Sequence, residues 1–143
     1  MMKRTLLALA ALVSALSLAT AFAAGDAAKE SATAEVHAQL ATASKDINMV
    51  HAHLHHVLNC LVGPEGKLFD PKAEDPCKGM GDGALNDLTG SPVVHKKLER
   101  AVKYAERGIR DTDYAKAQAA ATRTLKLLKE ANAPKAAAKT PPK

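Results

Sequence analysis

Apolar or small side chains fall at Val36, Leu40, Ala43, Ile47, Val50, Leu54, Val57 and Leu61, spaced alternately by four and three. That is the period of one helical face. Read literally, it makes residues 28–62 a single helix, about 50 Å long at about 1.5 Å per residue. A second run carries Val94, Leu98, Ala101, Val102, Ala105 and Ile109. It opens on Ser91 as N-cap and Pro92 at the first helical position. Gly108 and Asp111-Thr112-Asp113 interrupt it, and Thr112 or Asp113 caps a further helix reaching about Ala131. That helix is expected to turn Tyr114, Ala117, Ala121, Leu125 and Leu128 inward. Between the two runs, residues 63–92 hold six Gly and four Pro, which admits no long helix or strand and at most a short turn at Ala84 to Leu88.

The two runs read as copies. A shift of 67 places Ala38 on Ala105, Asp46 on Asp113, Ile47 on Tyr114, Val50 on Ala117, Ala52 on Ala119, Leu54 on Ala121, Leu58 on Leu125 and Leu61 on Leu128, and five of these eight pairs are identical. Against the competing reading, which keeps residues 28–62 as one helix, the repeat favours a hairpin. Ser44-Lys45-Asp46 becomes a turn like Asp111-Thr112-Asp113, and the expected fold is all-α: a four-helix bundle of two helical hairpins joined by a long Gly/Pro-rich crossover loop. Composition agrees, since the apolar residues, 47% of the chain, are mostly Ala and Leu, and only 3% are aromatic.

Residues 1–23 read as a signal peptide. Lys3 and Arg4 precede an apolar stretch from Thr5 to Ala21, and Ala21-Phe22-Ala23 forms an A-x-A site before Ala24. No second apolar run spans a bilayer, so the mature chain is expected to be periplasmic with no membrane attachment. Residues 24–131 form the helical domain, and residues 132–143 an Ala/Lys/Pro tail without large apolar side chains, expected to be disordered. Residues 24–92 carry 5 basic and 10 acidic groups, residues 93–143 carry 13 and 5. A basic half raises nucleic acid as a partner, but export argues against it, and a solvated basic face is the reading kept.

Four of the six His fall within six residues: His51, His53, His55 and His56. Neutral imidazole ligates Zn, Cu and Ni, and helical ligands chelate at i,i+3 or i,i+4. His51 with His55, and His53 with His56, form two half-sites on different flanks of one helix. Each needs ligands from elsewhere. His37 approaches one of them if its helix packs alongside, and His95 is a weaker candidate. The expected metal residues are therefore His37, His51, His53, His55 and His56.

Cys60 and Cys77 are the only cysteines. Two in an exported chain pair most often, closing a loop worth roughly 3 kcal/mol by chain entropy. The competing reading makes Cys60 a thiolate in a copper-suited set with Met49, His53 and His56, which share a helical arc of about 60°. Gly79-Met80-Gly81-Asp82-Gly83 matches neither nucleotide-binding pattern, and Asp70, Asp75 and Asp82 lack calcium-loop spacing. There is no H-E-x-x-H, no C-x-x-C-H and no nucleophile–base constellation. Neither an enzyme nor a haem protein is expected.

The run Lys97-Leu98-Glu99-Arg100-Ala101-Val102-Lys103-Tyr104-Ala105-Glu106-Arg107-Gly108 resembles the helical-hairpin repeat of the small metal-binding protein family. The likeness extends loosely through Ala117, Ala121, Leu125 and Leu128 and around His37-Ala38 and His51 to Leu58. It implies an exported His-rich four-helix bundle that binds copper, nickel or zinc, with ligands at His37, His51, His55, His53 and His56. Lys97, Tyr104 and Ile109 stand where the family hairpin carries His, and the cysteine-bearing loop is foreign to it. The function expected is buffering or sequestration of a divalent transition metal or copper ion. The alternative is a metal-free structural or interaction module acting through the Gly/Pro-rich loop.

Overall fold

The computed structural model describes residues 25–134, so the expected signal peptide, and the tail from residue 135, lie outside the described residues. The described chain is all-helical, with no strand, in five helices: α1 (Ala27–Ala43), α2 (Ile47–Val62), the single turn α3 (Ala84–Asp87), α4 (Pro92–Arg110) and α5 (Tyr114–Asn132). Aspartates start three of the four long helices. Asp26 accepts from the Lys29 N–H at 3.0 Å, Asp46 from Asn48 and Met49 at 2.6 and 3.3 Å, and Asp113 from Lys116 at 3.0 Å. Pro92 starts α4, where its missing N–H costs nothing. The break at residues 44–46 is real, so residues 28–62 are two helices.

α1 packs on α2 and α5, and α4 on the same two partners. The core is built on Leu54, Leu61, Leu98, Leu128, Val50 and Val57. Buried positions obey the 67-residue shift. Ser31, Ala34, Ala38 and Ala41 of α1 correspond to Leu98, Ala101, Ala105 and Gly108 of α4, and Val50, Leu54, Val57 and Leu61 of α2 to Ala117, Ala121, Thr124 and Leu128 of α5; all sixteen are buried. Gly108 marks a close approach between helices, since a Cβ there would stand 2.6 Å from Leu54 Cδ1 and 3.1 Å from Ala120 Cβ.

Three inward assignments are corrected. Val36 and Leu40 are 56% and 42% exposed, and α1 instead buries Ala34, Ala38 and Ala41. Small side chains on that stripe let α1 lie close to both neighbours, and the 4,3 series ran across a turn where it had no single face. Tyr114 is also exposed. Its hydroxyl donates to the Ser44 carbonyl at 2.9 Å, while Gln118 Nε2 donates to the carbonyls of Ala41 and Ser44 at 3.0 and 2.7 Å. The start of α5 thereby satisfies the open carbonyl end of α1.

The Gly/Pro-rich segment is fastened down. A Cys60–Cys77 disulfide joins it to α2. Asn59, buried one residue earlier, donates to the carbonyls of Asp70 and Glu74 (3.0 and 3.2 Å) and accepts from the Asp70 N–H at 2.8 Å. Gly63 ends α2 at φ 67°, and a Cβ there would meet the Asp82 carbonyl oxygen at 1.8 Å, so the returning chain crosses directly over it. The segment also covers a buried carboxyl: Glu30, 1% exposed, accepts from the Gly83 N–H at 3.1 Å. Burial chiefly, then the charges of Asp87 and Asp82, push Glu30 up to about 7 against the lowering effect of that N–H.

Candidate metal centre

The turn centred on Lys45 folds α2 back along α1, and His37 and His53 lie eight residues to either side of it. An antiparallel hairpin sets such residues level with each other. His56, one turn further along α2, joins them. His37 Nδ1 lies 3.4 Å from His53 Nδ1 and 3.1 Å from His56 Nδ1. The ring centroids are 4.8 to 5.6 Å apart, and one ligand atom from each of the three rings falls within 4.8 Å of the others.

These separations have chemical meaning. Four ligands at about 2.0–2.1 Å around a tetrahedral zinc stand about 3.3–3.4 Å from one another. Nδ1 atoms at 3.1 and 3.4 Å fit that edge. Between neutral imidazoles the same convergence sets lone pairs against each other, since a single N–H relieves only one contact. A cation at the centre accepts all three.

The rings are half-buried and held in the ligating form. Burial, and then the positive forms of His56 and His53, push His37 down to about 4, while Glu74 opposes the shift. Burial lowers His53. Burial and then His53 lower His56, again with Glu74 opposing. At neutral pH all three are neutral donors.

The other expected ligands go elsewhere. His51 Nε2–H donates to the Asp111 carbonyl at 3.0 Å. Under the 67-residue shift His51 corresponds to Gln118 and Asp111 to Ser44, so each hairpin's second helix closes the other hairpin's turn. His55 Nδ1 stands 3.2 Å from Asp70 Oδ2, at ion-pair distance but without hydrogen-bond alignment, facing the loop. His95 lies on α4, 3.7 Å from Glu99. The predicted pair His53/His56 and the conditional partner His37 thus come together, and His51 and His55 do not join them. The thiolate reading of Cys60 gives way to the disulfide, and Met49 lies exposed one turn before His53. Glu74 was not among the sequence candidates. It sits in the loop, outside any helical period, and no pattern marked it.

No helix of the described residues is long and apolar enough to cross a membrane. The disulfide points to an oxidising environment. Comparison with models of known protein families, with curated proteins and with solved structures found no match.

Proposed function

We propose that this is an exported, periplasmic metal-binding protein that buffers or sequesters a divalent transition metal or copper ion. Its scaffold is a four-helix bundle of two helical hairpins, with the disulfide-fastened crossover lying over one end. The observation carrying the reading is the convergence of His37 Nδ1 on His53 Nδ1 and His56 Nδ1 at 3.4 and 3.1 Å, from two helices. The depressed proton affinity of all three rings supports it, because a ligating imidazole must be neutral. So does the likeness of residues 97–108 to the hairpin of the small metal-binding proteins. The chemistry proposed is binding, for which the site offers three imidazole ligands.

The second hairpin is scaffold. The positions equivalent to His37, His53 and His56 are Tyr104, Ala120 and Arg123, and there Arg123 stacks on the Tyr104 ring at 5.6 Å. One such site among the described residues follows. Calorimetric titration of the chain from Ala24 with Cu(II), Ni(II) and Zn(II) at pH 7.5 tests this. Binding at about micromolar Kd or tighter is expected, with loss in a His37/His53/His56→Gln variant. Affinity weaker than about 0.1 mM, or affinity that survives the triple substitution, refutes it.

A further inference from the structure

Tyr104, Ala120 and Arg123 stand in the second hairpin at the places of His37, His53 and His56, and Arg107 and Lys116 at those of Leu40 and Met49. For a metal that hairpin is scaffold, yet its outer face is not closed. All five residues, with Asp111, line one cleft of about 220 Å³ between α4 and α5. Ala120 makes the room, since it has a methyl group where His53 has a ring. The volume lies below the about 300–1,000 Å³ of pockets for organic ligands, so the cleft suits a small ion.

Its charge is positive and unspent. Arg107, Lys116 and Arg123 face a single carboxylate, Asp111, which leaves a net charge of +2. None of the three cations is in a salt bridge among the described residues. Asp111 Oδ1 accepts from the Asp113 N–H at 3.3 Å, so that carboxylate is engaged at its own turn. Arg123 lies over the Tyr104 ring at 5.6 Å, a cation–π contact that positions the guanidinium without neutralising it. Guanidinium groups match phosphate oxygens with paired N–H donors, and an ammonium adds a point charge. Arg100 and Lys103 extend the positive face along α4 and draw anions toward the cleft.

We infer that this cleft binds a phosphate carrying two negative charges, either free or as the monoester head of a lipid. The two hairpins then take ions of opposite sign at equivalent places, through imidazole lone pairs in the first and N–H donors in the second. The cleft shares no residue with the His centre, so this inference does not depend on the metal.

The test is calorimetric titration of the chain from Ala24 with inorganic phosphate at pH 8, in about 0.1 M salt to screen distant charges. Phosphatidylcholine vesicles with and without phosphatidic acid are the second probe. A Kd of about 1 mM or tighter is expected. Arg107→Gln/Arg123→Gln should weaken binding at least about tenfold through lost charge-assisted bonds. Arg100→Gln/Lys103→Gln removes the same charge outside the cleft and should change it less than about threefold. All four residues are exposed, so both variants keep the fold. Binding of free phosphate, or of phosphatidic acid vesicles, that is lost in the cleft variant alone supports the site and names its source. Equal loss in both variants overturns it, because diffuse charge then suffices. No binding of phosphate at about 10 mM, together with no preference for phosphatidic acid vesicles, overturns it as well.

Discussion

A metal held by His37, His53 and His56 is a cross-link between two helices, and only His37 makes it one. His53 and His56 belong to α2, and His37 alone to α1. An ion binding the folded chain stabilises it by RT ln(1 + [L]/Kd), which is about 2.7 kcal/mol at a free concentration 100-fold above Kd. For a domain of about 100 residues each kcal/mol moves Tm by about 4 °C or more, so the holo-protein should melt about 10 °C above the apo-protein. His37→Gln leaves an i,i+3 pair on one helix. Under the same zinc concentration its shift should fall below about 2 °C, the equivalent of less than half a kcal/mol. His51→Ala should behave oppositely. Losing the bond to the Asp111 carbonyl costs about 1 kcal/mol and lowers the apo Tm by about 4 °C, with the zinc shift intact. Differential scanning calorimetry with and without zinc reads both variants. A full shift in His37→Gln, or a lost shift in His51→Ala, refutes the site as drawn.

Proton competition gives a second prediction. Three imidazoles of ordinary pKa would lose about fiftyfold in metal affinity between pH 7.5 and 6. Because burial lowers all three rings, with His37 near 4, the loss over that interval should be smaller than that; a fiftyfold loss by pH 6 in a zinc competition assay would show the rings to be ordinary. The same lowered rings contribute apo stability that is full above about 6.5 and lost as pH falls through the folded values. Glu30 acts with the opposite sign. Its folded pKa is raised, so its contribution is complete below about 4.5 and lost as pH rises through about 7. Glu30→Gln should therefore be more stable than wild type at pH 8.5 and lose that advantage at pH 5; urea unfolding showing the same deficit at both pH values would remove the buried neutral carboxyl. Replacing Cys60 and Cys77 together by Ala should cost roughly 3 kcal/mol in urea unfolding, and a cost below about 1 kcal/mol would mean that Asn59 and its neighbours hold the loop unaided.

The fold was legible where local chemistry and the repeat agreed. Asp46 and Asp113 occupy equivalent places, and each caps the second helix of its hairpin. Pro92 begins α4, and the single turn in the loop falls at Ala84. The face of α1 was not legible. Its larger apolar residues, Val36 and Leu40, are outside, and its buried stripe is alanine. A period count scores size and apolarity, whereas this interface selects for smallness, since the backbones approach closely enough that a Cβ at the equivalent Gly108 has no room. The packing of the loop was equally invisible, because Asn59 and Glu30 fix it through polar atoms that carry no periodicity.

The site was half legible for a related reason. Helical spacing marks which histidines share a flank, and it paired His53 with His56 correctly, but it pairs His51 with His55 just as well. What separates the pairs is the neighbour each flank meets. The flank of His53 and His56 faces α1, where His37 stands level because the turn at Lys45 is equidistant from both. The other flank meets the α4–α5 turn and the loop, so His51 is spent on a carbonyl and His55 faces Asp70. The first fact was available from the sequence once the hairpin was accepted, by counting outward from residue 45. The second was available from the repeat alone. His51 is the counterpart of Gln118, and a position filled by Gln in one copy and His in the other asks for an N–H donor to a helix end, not for a lone pair to a metal. Counterparts Tyr104, Ala120 and Arg123 make no such common demand on His37, His53 and His56. His37, His53 and His56 answer no demand of the shared scaffold, and they are the three that converge.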